Sequence, residues 1–289
     1  MTSPAHRLRA LLRDGGRVTM PGVFDALSAR LAREAGFPVV FVSGFAVSAA
    51  RLGLPDIGYL TQTEAAAAVR DVARAVGAEG AVMADADTGY GNALSARRTA
   101  AEFHAAGASG LFLEDQEWPK RCGHMAGKRV VPAGEWLAKL RAVVALREEG
   151  VDLFVTARTD ALAAEGLEAA CERARMAAEA GVDAVFVEAP RSVDDLNAIA
   201  AATPGMVRVA NMVEGGVTPV LSTDDLADLG FRLVVTPLTG LYAAAAAMRD
   251  AYGALARDGR PPEAPMGFAD LTSLVDLEAH REAERRFEG

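Results

Sequence analysis

The chain has only two cysteines, Cys122 and Cys171, in 289 residues. That excludes a disulfide framework and the small secreted folds that depend on one. No apolar run approaches the roughly 20 residues that cross a bilayer. The N-terminal stretch is short, charged and helical in pattern, without the apolar core or cleavage site of a secretory signal. Neither the Rossmann nor the P-loop glycine pattern occurs. Positive charge is also short: 30 Lys and Arg against 39 Asp and Glu give a net charge of −9. That balance argues against nucleic acid or an anionic membrane surface as partner. No linker-like or low-complexity segment divides the sequence. The expectation is a soluble, cytoplasmic enzyme acting on a small molecule.

Hydrophobic residues make up 51% of the chain, enough for a sizeable core. They fall in a repeating order. Short, nearly continuous apolar runs read as strands at Val18–Val23, Pro38–Val42, Gly80–Ala84, Gly110–Leu113, Leu153–Ala157, Asp183–Val187, Val207–Ala210 and Leu233–Thr236. Strands apolar on both faces belong to a parallel sheet covered by helices. Helical periodicity follows each of them, with Asp25 as a candidate cap before the second helix. Eight such units predict an α/β fold, a (β/α)₈ barrel spanning residues 1–289. A doubly wound sheet is the alternative, but it would usually bring a glycine-rich turn after an early strand. Residues 260–289 form a helical extension, with Leu271, Leu274 and Leu277 expected on one face. That face belongs against the barrel or against another subunit.

In a barrel of this kind the chemistry sits at the C-terminal ends of the strands, and these ends are polar. The second strand ends in Ser43 and Gly44, the third in Asp85 and Asp87, the fourth in Glu114 and Asp115. The fifth ends in Arg158, Thr159 and Asp160, the sixth in Glu188, the seventh in Asn211 and Glu214, and the eighth runs to Thr239. Asp85, Asp87 and Glu114 read either as helix-capping acids or as a hard-oxygen site for Mg²⁺, with Mn²⁺ as a second choice. Asp56 joins this shell or is a plain turn aspartate. Arg158 suits a substrate carboxylate or an ion pair with Glu188 or Asp160; both fit if Glu188 orients it. Asn211, with the Gly215-Gly216 turn, is a candidate for a second carboxylate. Phe45 and Leu241 are candidate apolar lining. After the fourth strand comes a long polar loop with Lys120, Arg121, Cys122, Gly123 and His124. Cations beside a thiol favour the thiolate, and His124 is placed to set its charge or to orient a carboxylate. Cys171 lies in an Ala-rich helical pattern and reads as a small core residue.

These residues carry a resemblance. Ser43-Gly44, GLPD at 53–56, DADTGYGN at 85–92, LEDQ at 113–116, PKRCGH at 119–124, ARTDA at 157–161 and NMVEGG at 211–216 resemble the isocitrate lyase/phosphoenolpyruvate mutase superfamily along nearly the whole chain. The nearest likeness is to its branch of 2-methylisocitrate lyases, dimethylmalate lyases, petal death protein and carboxyphosphonoenolpyruvate phosphonomutases. The resemblance implies a barrel whose C-terminal helix is exchanged between subunits of a dimer of dimers, a homotetramer. It implies Mg²⁺ held by Asp85, Asp87 and Glu114, partly through water. It also implies a loop around Cys122 that closes over a 2-keto acid, with the cysteine as general acid. Catalytic residues are then Cys122, Arg158, Lys120 and His124. Substrate contacts fall to Ser43, Gly44, Phe45, Asp56, Gly123, Glu188, Asn211 and Thr239. Phe41 stands where methylisocitrate lyases share a tyrosine, and Thr239 where oxaloacetate hydrolases share a serine. The implied activity is cleavage of a 2-hydroxy dicarboxylate by a carbon–carbon lyase. A phosphonomutase and an oxaloacetate hydrolase are the alternatives, and a non-catalytic binding protein would leave the clustered groups unused.

Overall fold

The computed structural model describes residues 3–287 apart from 124, 126, 264 and 265. Eight parallel strands close on themselves in sequence order. They are β1 (Val18–Val23), β2 (Val39–Val42), β3 (Ala81–Asp85), β4 (Gly110–Glu114), β5 (Phe154–Thr159), β6 (Ala184–Val187), β7 (Val207–Asn211) and β8 (Leu233–Thr236). β8 pairs back onto β1, with Val18 opposite Leu233 and Pro21 opposite Thr236. The barrel expected from the sequence is therefore the observed architecture.

A helix, α1 (Pro4–Leu11), precedes β1; Ala5 and Leu8 are fully buried in it. They pack with Leu12, Met20, Val39 and Phe154 and so close the N-terminal end of the barrel. The helices between strands start where side chains can accept from orphaned N–H groups. Asp25 caps α2 (Ala26–Glu34) in a reciprocal box with Ser28. Ser43 caps the short α3 (Gly44–Val47), and Thr61 boxes with Glu64 at α4 (Gln62–Val76). Further on come α5 (Ala93–Ala106), α6 (Ala133–Val144), α7 (Ala161–Ala164), α8 (Leu167–Glu179), α9 (Val193–Ala202) and α10 (Thr223–Asp228). α6 stops at Val144 and tightens into a 3₁₀ segment, Ala145–Glu149. Cys171 is buried on α8, as its pattern suggested.

Alternate strand residues face the helices or the barrel interior. The helix side carries Val40, Val42, Val82, Leu111, Leu113, Val155, Val185 and Val234. The inner side carries Val39, Phe41, Met83, Phe112, Phe186, Val209 and Val235. Register stacks the inner residues in layers of four from alternate strands. Phe41, Phe112, Phe186 and Val235 of the even strands form one layer. Each is paired with an odd-strand residue that points inward just above it: Gly22, Asp85, Arg158 and Asn211. Above these come Ser43, Glu114, Glu188 and Pro237, two residues on along the even strands. Gly22 has no room for a side chain, because a Cβ there would lie 1.9 Å from the Pro237 carbonyl oxygen. The upper layers thus bring the polar strand ends into one mouth.

The chain divides into two compact units, Met1–Leu241 and Tyr242–Gly289. The division falls inside α11 (Thr239–Asp258), ahead of the expected extension at 260. The second unit continues with α12 (Phe268–Leu274) and α13 (Leu277–Arg285). The single apolar face expected for Leu271, Leu274 and Leu277 is not formed. Asp276 turns left-handed at φ 56°, which breaks the helix between Leu274 and Leu277. Among the described residues no helix is long and apolar enough to cross a membrane.

Candidate active site

The strand ends enclose a cavity at the mouth of the barrel. Its floor is the aromatic layer. Phe41 and Phe112 have ring centroids 4.9 Å apart, and Phe112 and Phe186 5.7 Å apart. Its walls include Ser43, Phe45, Asp56, Asp85, Lys120, Cys122, Gly123, Arg158, Glu188 and Asn211. Ten of the expected site residues therefore meet in one place.

Arg158 stands at the centre. Its Nε is 3.0 Å from Asp160 Oδ2 and 3.3 Å from Glu114 Oε2, and its Nη2 is 3.1 Å from Glu188 Oε2. The guanidinium also lies over the Phe186 ring, 5.5 Å from the centroid, a favourable cation–π placement. Both expected ion pairs, to Glu188 and to Asp160, are present together. Nη1 takes no part in any of them, which leaves one amino group of a rigidly held fork for an incoming carboxylate. Glu188 is itself held by Asn211, whose amide donates to both its oxygens at 3.3 Å. Burial alone would raise the Asp160 carboxyl, but the charges of Arg158 and Lys128 outweigh it and hold its pKa at about 2.

The acids on the other wall are less well compensated. Lys120, nearly fully buried, places its ammonium 2.5 Å from Asp56 Oδ1 and 2.7 Å from Asp87 Oδ1. Burial nevertheless pushes Asp87 up to about 7, with Lys120 opposing. Burial likewise lifts Glu114 well above the usual carboxylate range, against the pull of Arg158. The Asp87 contact is an ion pair without hydrogen-bond geometry, and among the described residues neither oxygen of Asp87 nor Oε1 of Glu114 has a hydrogen-bond partner. Among the described residues around the mouth, Asp56, Asp85, Asp87, Glu114, Asp160 and Glu188 face three buried cations, Lys120, Lys128 and Arg158, with Arg121 exposed at the rim. A divalent cation fits this deficit and the hard oxygen donors present. Among the described residues no three His, Cys, Asp or Glu side chains converge closely enough to hold an ion jointly.

The loop after β4 is pinned at several points. Glu117 N–H donates to the Arg129 carbonyl, and Gln116 bridges to Val130 in antiparallel fashion. The Gln116 side chain clamps the Arg121 backbone, accepting from its N–H and donating to its carbonyl, both at 2.8 Å. Gly123 lies directly on the arginine pair: a Cβ there would be 2.3 Å from Glu188 Oε2 and 2.6 Å from Arg158 Nη2. Cys122, in no disulfide, lines the cavity from this loop. His124 lies outside the described residues.

Three expectations need correction, and one backbone donor drops out of the site. Lys120 commits its ammonium to Asp56 and Asp87, so it serves the acids rather than the thiol. The Ser43 N–H donates to the Val23 carbonyl at 3.2 Å and is unavailable to a substrate oxygen; the Gly44 N–H, first in α3, has no acceptor within that helix. Thr239 stays outside the cavity, its hydroxyl donating to Glu214, while Pro237 and Leu238 take the wall. Leu241 packs on Ala46, Val213 and Leu238 instead of lining the site. The floor role of Phe41, Phe112 and Phe186 was not among the expectations, and Phe112 and Phe186 were not expected at the site at all. Their signal was available: each sits two residues before Ser43, Glu114 or Glu188, so it faces the same way one layer down. Lys128 was missed as well, and nothing local marks it.

A closed eight-stranded barrel with a buried arginine, a thiol loop and an acid-rich mouth defines a (β/α)₈ enzyme that handles small anionic substrates at its C-terminal face. The chain belongs to the PEP mutase/isocitrate lyase superfamily, matching the phosphoenolpyruvate phosphomutase family over residues 8–256. It is 46% identical to the chloroplastic carboxyvinyl-carboxyphosphonate phosphorylmutase of Arabidopsis thaliana, covering 97% of this chain and 84% of that protein. It is 38% identical to the 2,3-dimethylmalate lyase of Eubacterium barkeri over 98% of each. A crystal structure of 2,3-dimethylmalate lyase superposes with a TM-score of 0.95 at 34% identity, covering 100% of this chain and 97% of that one. An oxaloacetate acetylhydrolase bound to 3,3-difluorooxalacetate also superposes at 0.95, with 34% identity and 99% and 98% coverage. On the metal, a phosphonopyruvate hydrolase solved with oxalate and Mg²⁺ superposes at 0.88, with 29% identity and full coverage of both chains.

Proposed function

We propose that this chain is a Mg²⁺-dependent carbon–carbon lyase. It cleaves a 2-hydroxy dicarboxylate of the 2-alkylmalate or 2-methylisocitrate type into a 2-keto acid and a carboxylic acid. The observation that carries this reading is the placement of Cys122 on the same cavity as Arg158 and the Asp85 carboxylate, over a phenylalanine floor.

In retro-aldol cleavage the 2-hydroxyl loses its proton to water, the C2–C3 bond breaks, the electron pair passes to C3 beside a carboxylate, and solvent returns a proton to the Cys122 thiolate at the end of the cycle. Arg158 holds a substrate carboxylate through its remaining amino group, fixed in place by Asp160, Glu188 and Phe186. Asp85, Asp87 and Glu114 would hold Mg²⁺, partly through water, and the ion would supply positive charge that favours ionisation of the 2-hydroxyl. The Gly44 N–H adds hydrogen-bond stabilisation for the developing negative charge. Phe41, Phe112, Phe186 and Phe45 exclude water and suit an alkyl substituent. The Cys122 thiol delivers the proton that C3 needs. Assembly as a tetramer is part of the same reading, and light scattering should then return a mass four times that of the 30.1 kDa chain.

The test is an NMR product assay with Mg²⁺ or Mn²⁺ on alkylmalates, 2-methylisocitrate, oxaloacetate and phosphonopyruvate, with wild type beside Cys122→Ser and an EDTA control. Release of a 2-keto acid from a hydroxy diacid, lost in EDTA and in Cys122→Ser, supports the lyase. Turnover of oxaloacetate alone makes it a hydrolase, and turnover of the phosphonate alone places it with the mutases and phosphonate hydrolases.

A further inference from the structure

We propose that Lys128 is a positioning residue that latches the Cys122 loop shut and ties that closure to the arginine clamp. Lys128 lies on the returning limb of the loop, just before the bridge from Val130 to Gln116. Its ammonium turns inward, and its side chain is 1% exposed. There it donates to the Gly123 carbonyl at 2.5 Å and to Asp160 Oδ1 at 2.7 Å. Asp160 is fully buried and makes two further bonds to Arg158, at 3.0 and 3.3 Å. One ammonium therefore joins the residue next to the thiol with the carboxylate that orients the guanidinium.

A buried ammonium requires acceptors on the spot, because desolvation without them is costly. If the loop opens, Gly123 carries its carbonyl away and Lys128 loses one of its two partners. The closed loop is thereby favoured whenever Lys128 sits beside Asp160. Gln116 and Lys120 restrain the loop earlier, at residues 120 and 121. Lys128 acts beyond Cys122, so the thiol is held from both sides. The link to catalysis rests on the lyase reading above; the latch itself does not.

The experiment measures carbamidomethylation of Cys122 by iodoacetamide, resolved by peptide mass spectrometry, in ligand-free wild type and Lys128→Met. Cys171, 6% exposed on α8, is the internal control. The latch predicts Cys122 labelling at least tenfold faster in the variant, with Cys171 still unreactive. In the product assay it predicts kcat down at least tenfold and KM changed less than threefold. Labelling of Cys122 at the wild-type rate overturns the proposal. So does a parallel rise at Cys171, which would mean general loosening. Lys128→Gln carries the same test if Lys128→Met is not recovered folded. Absence of wild-type turnover on every acid defeats the lyase reading and leaves the labelling result to decide the latch.

Discussion

Substitution of Gly123 by alanine tests how closely the loop must seat on the arginine clamp. The added Cβ would lie 2.3 Å from Glu188 Oε2, 2.5 Å from Glu188 Cδ and 2.6 Å from Arg158 Nη2. Each contact falls about 1 Å short of ordinary separation between nonbonded heavy atoms. These atoms end long side chains, yet neither chain is loose. Asn211 and Arg158 grip Glu188, while Asp160, Glu114 and the Phe186 ring grip Arg158. The loop must therefore lift, carrying Cys122 about 1 Å from its seat. A misplacement of that size costs on the order of 100-fold in rate. The backbone itself tolerates alanine, since Gly123 is not left-handed. The expected outcome for Gly123→Ala is thus kcat/KM down about 100-fold, by the NMR assay. Activity within threefold of wild type would refute the reasoning, because it would mean that the loop works without resting on the clamp.

Gly44→Ala places a Cβ 2.9 Å from Asp85 Oδ2; the Mg²⁺ concentration for half-maximal activity should rise about 10-fold or more, read by metal titration. Phe186→Ala removes a floor ring and the cation–π contact under Arg158, with an expected loss of about 3–5 kcal/mol in urea unfolding. Asp160→Asn leaves Lys128 and Arg158 short of charge in a buried setting and should cost about 3–5 kcal/mol at neutral pH. Its pH signature follows from a folded pKa of about 2 against the ordinary 3.8. In wild type the stabilisation from this carboxylate is complete above pH 4 and lost as pH falls toward 2, a change of about 2 kcal/mol. That part of the acid limb should be missing in the asparagine variant, by denaturant titration at stepped pH.

Much of the fold was legible because it follows from local periodicity. Apolar runs such as Val39–Val42 are buried on both faces, and only a covered parallel sheet does that to eight strands in turn. Asp25 was readable as a cap because its oxygen is three residues from the N–H it satisfies. The break at Asp276 was not, since a left-handed aspartate has no distinct pattern in the residues around it.

The candidate site divides along the same line. Which residues stand at the mouth was decided by the sequence itself: the end of each strand and the period of two put Asp85, Glu114, Arg158, Glu188 and Asn211 there together. Which of them serves which was decided only by the tertiary structure. Lys120 and Cys122 are two residues apart, yet the ammonium belongs to Asp56 and Asp87. Lys128 and Asp160 are 32 residues apart and share a buried bond. A side chain at a loop or a strand end has several partners within its reach, and sequence spacing cannot rank them. The ranking comes from burial, because a charge taken out of water must pair with whatever closure of the barrel brings beside it.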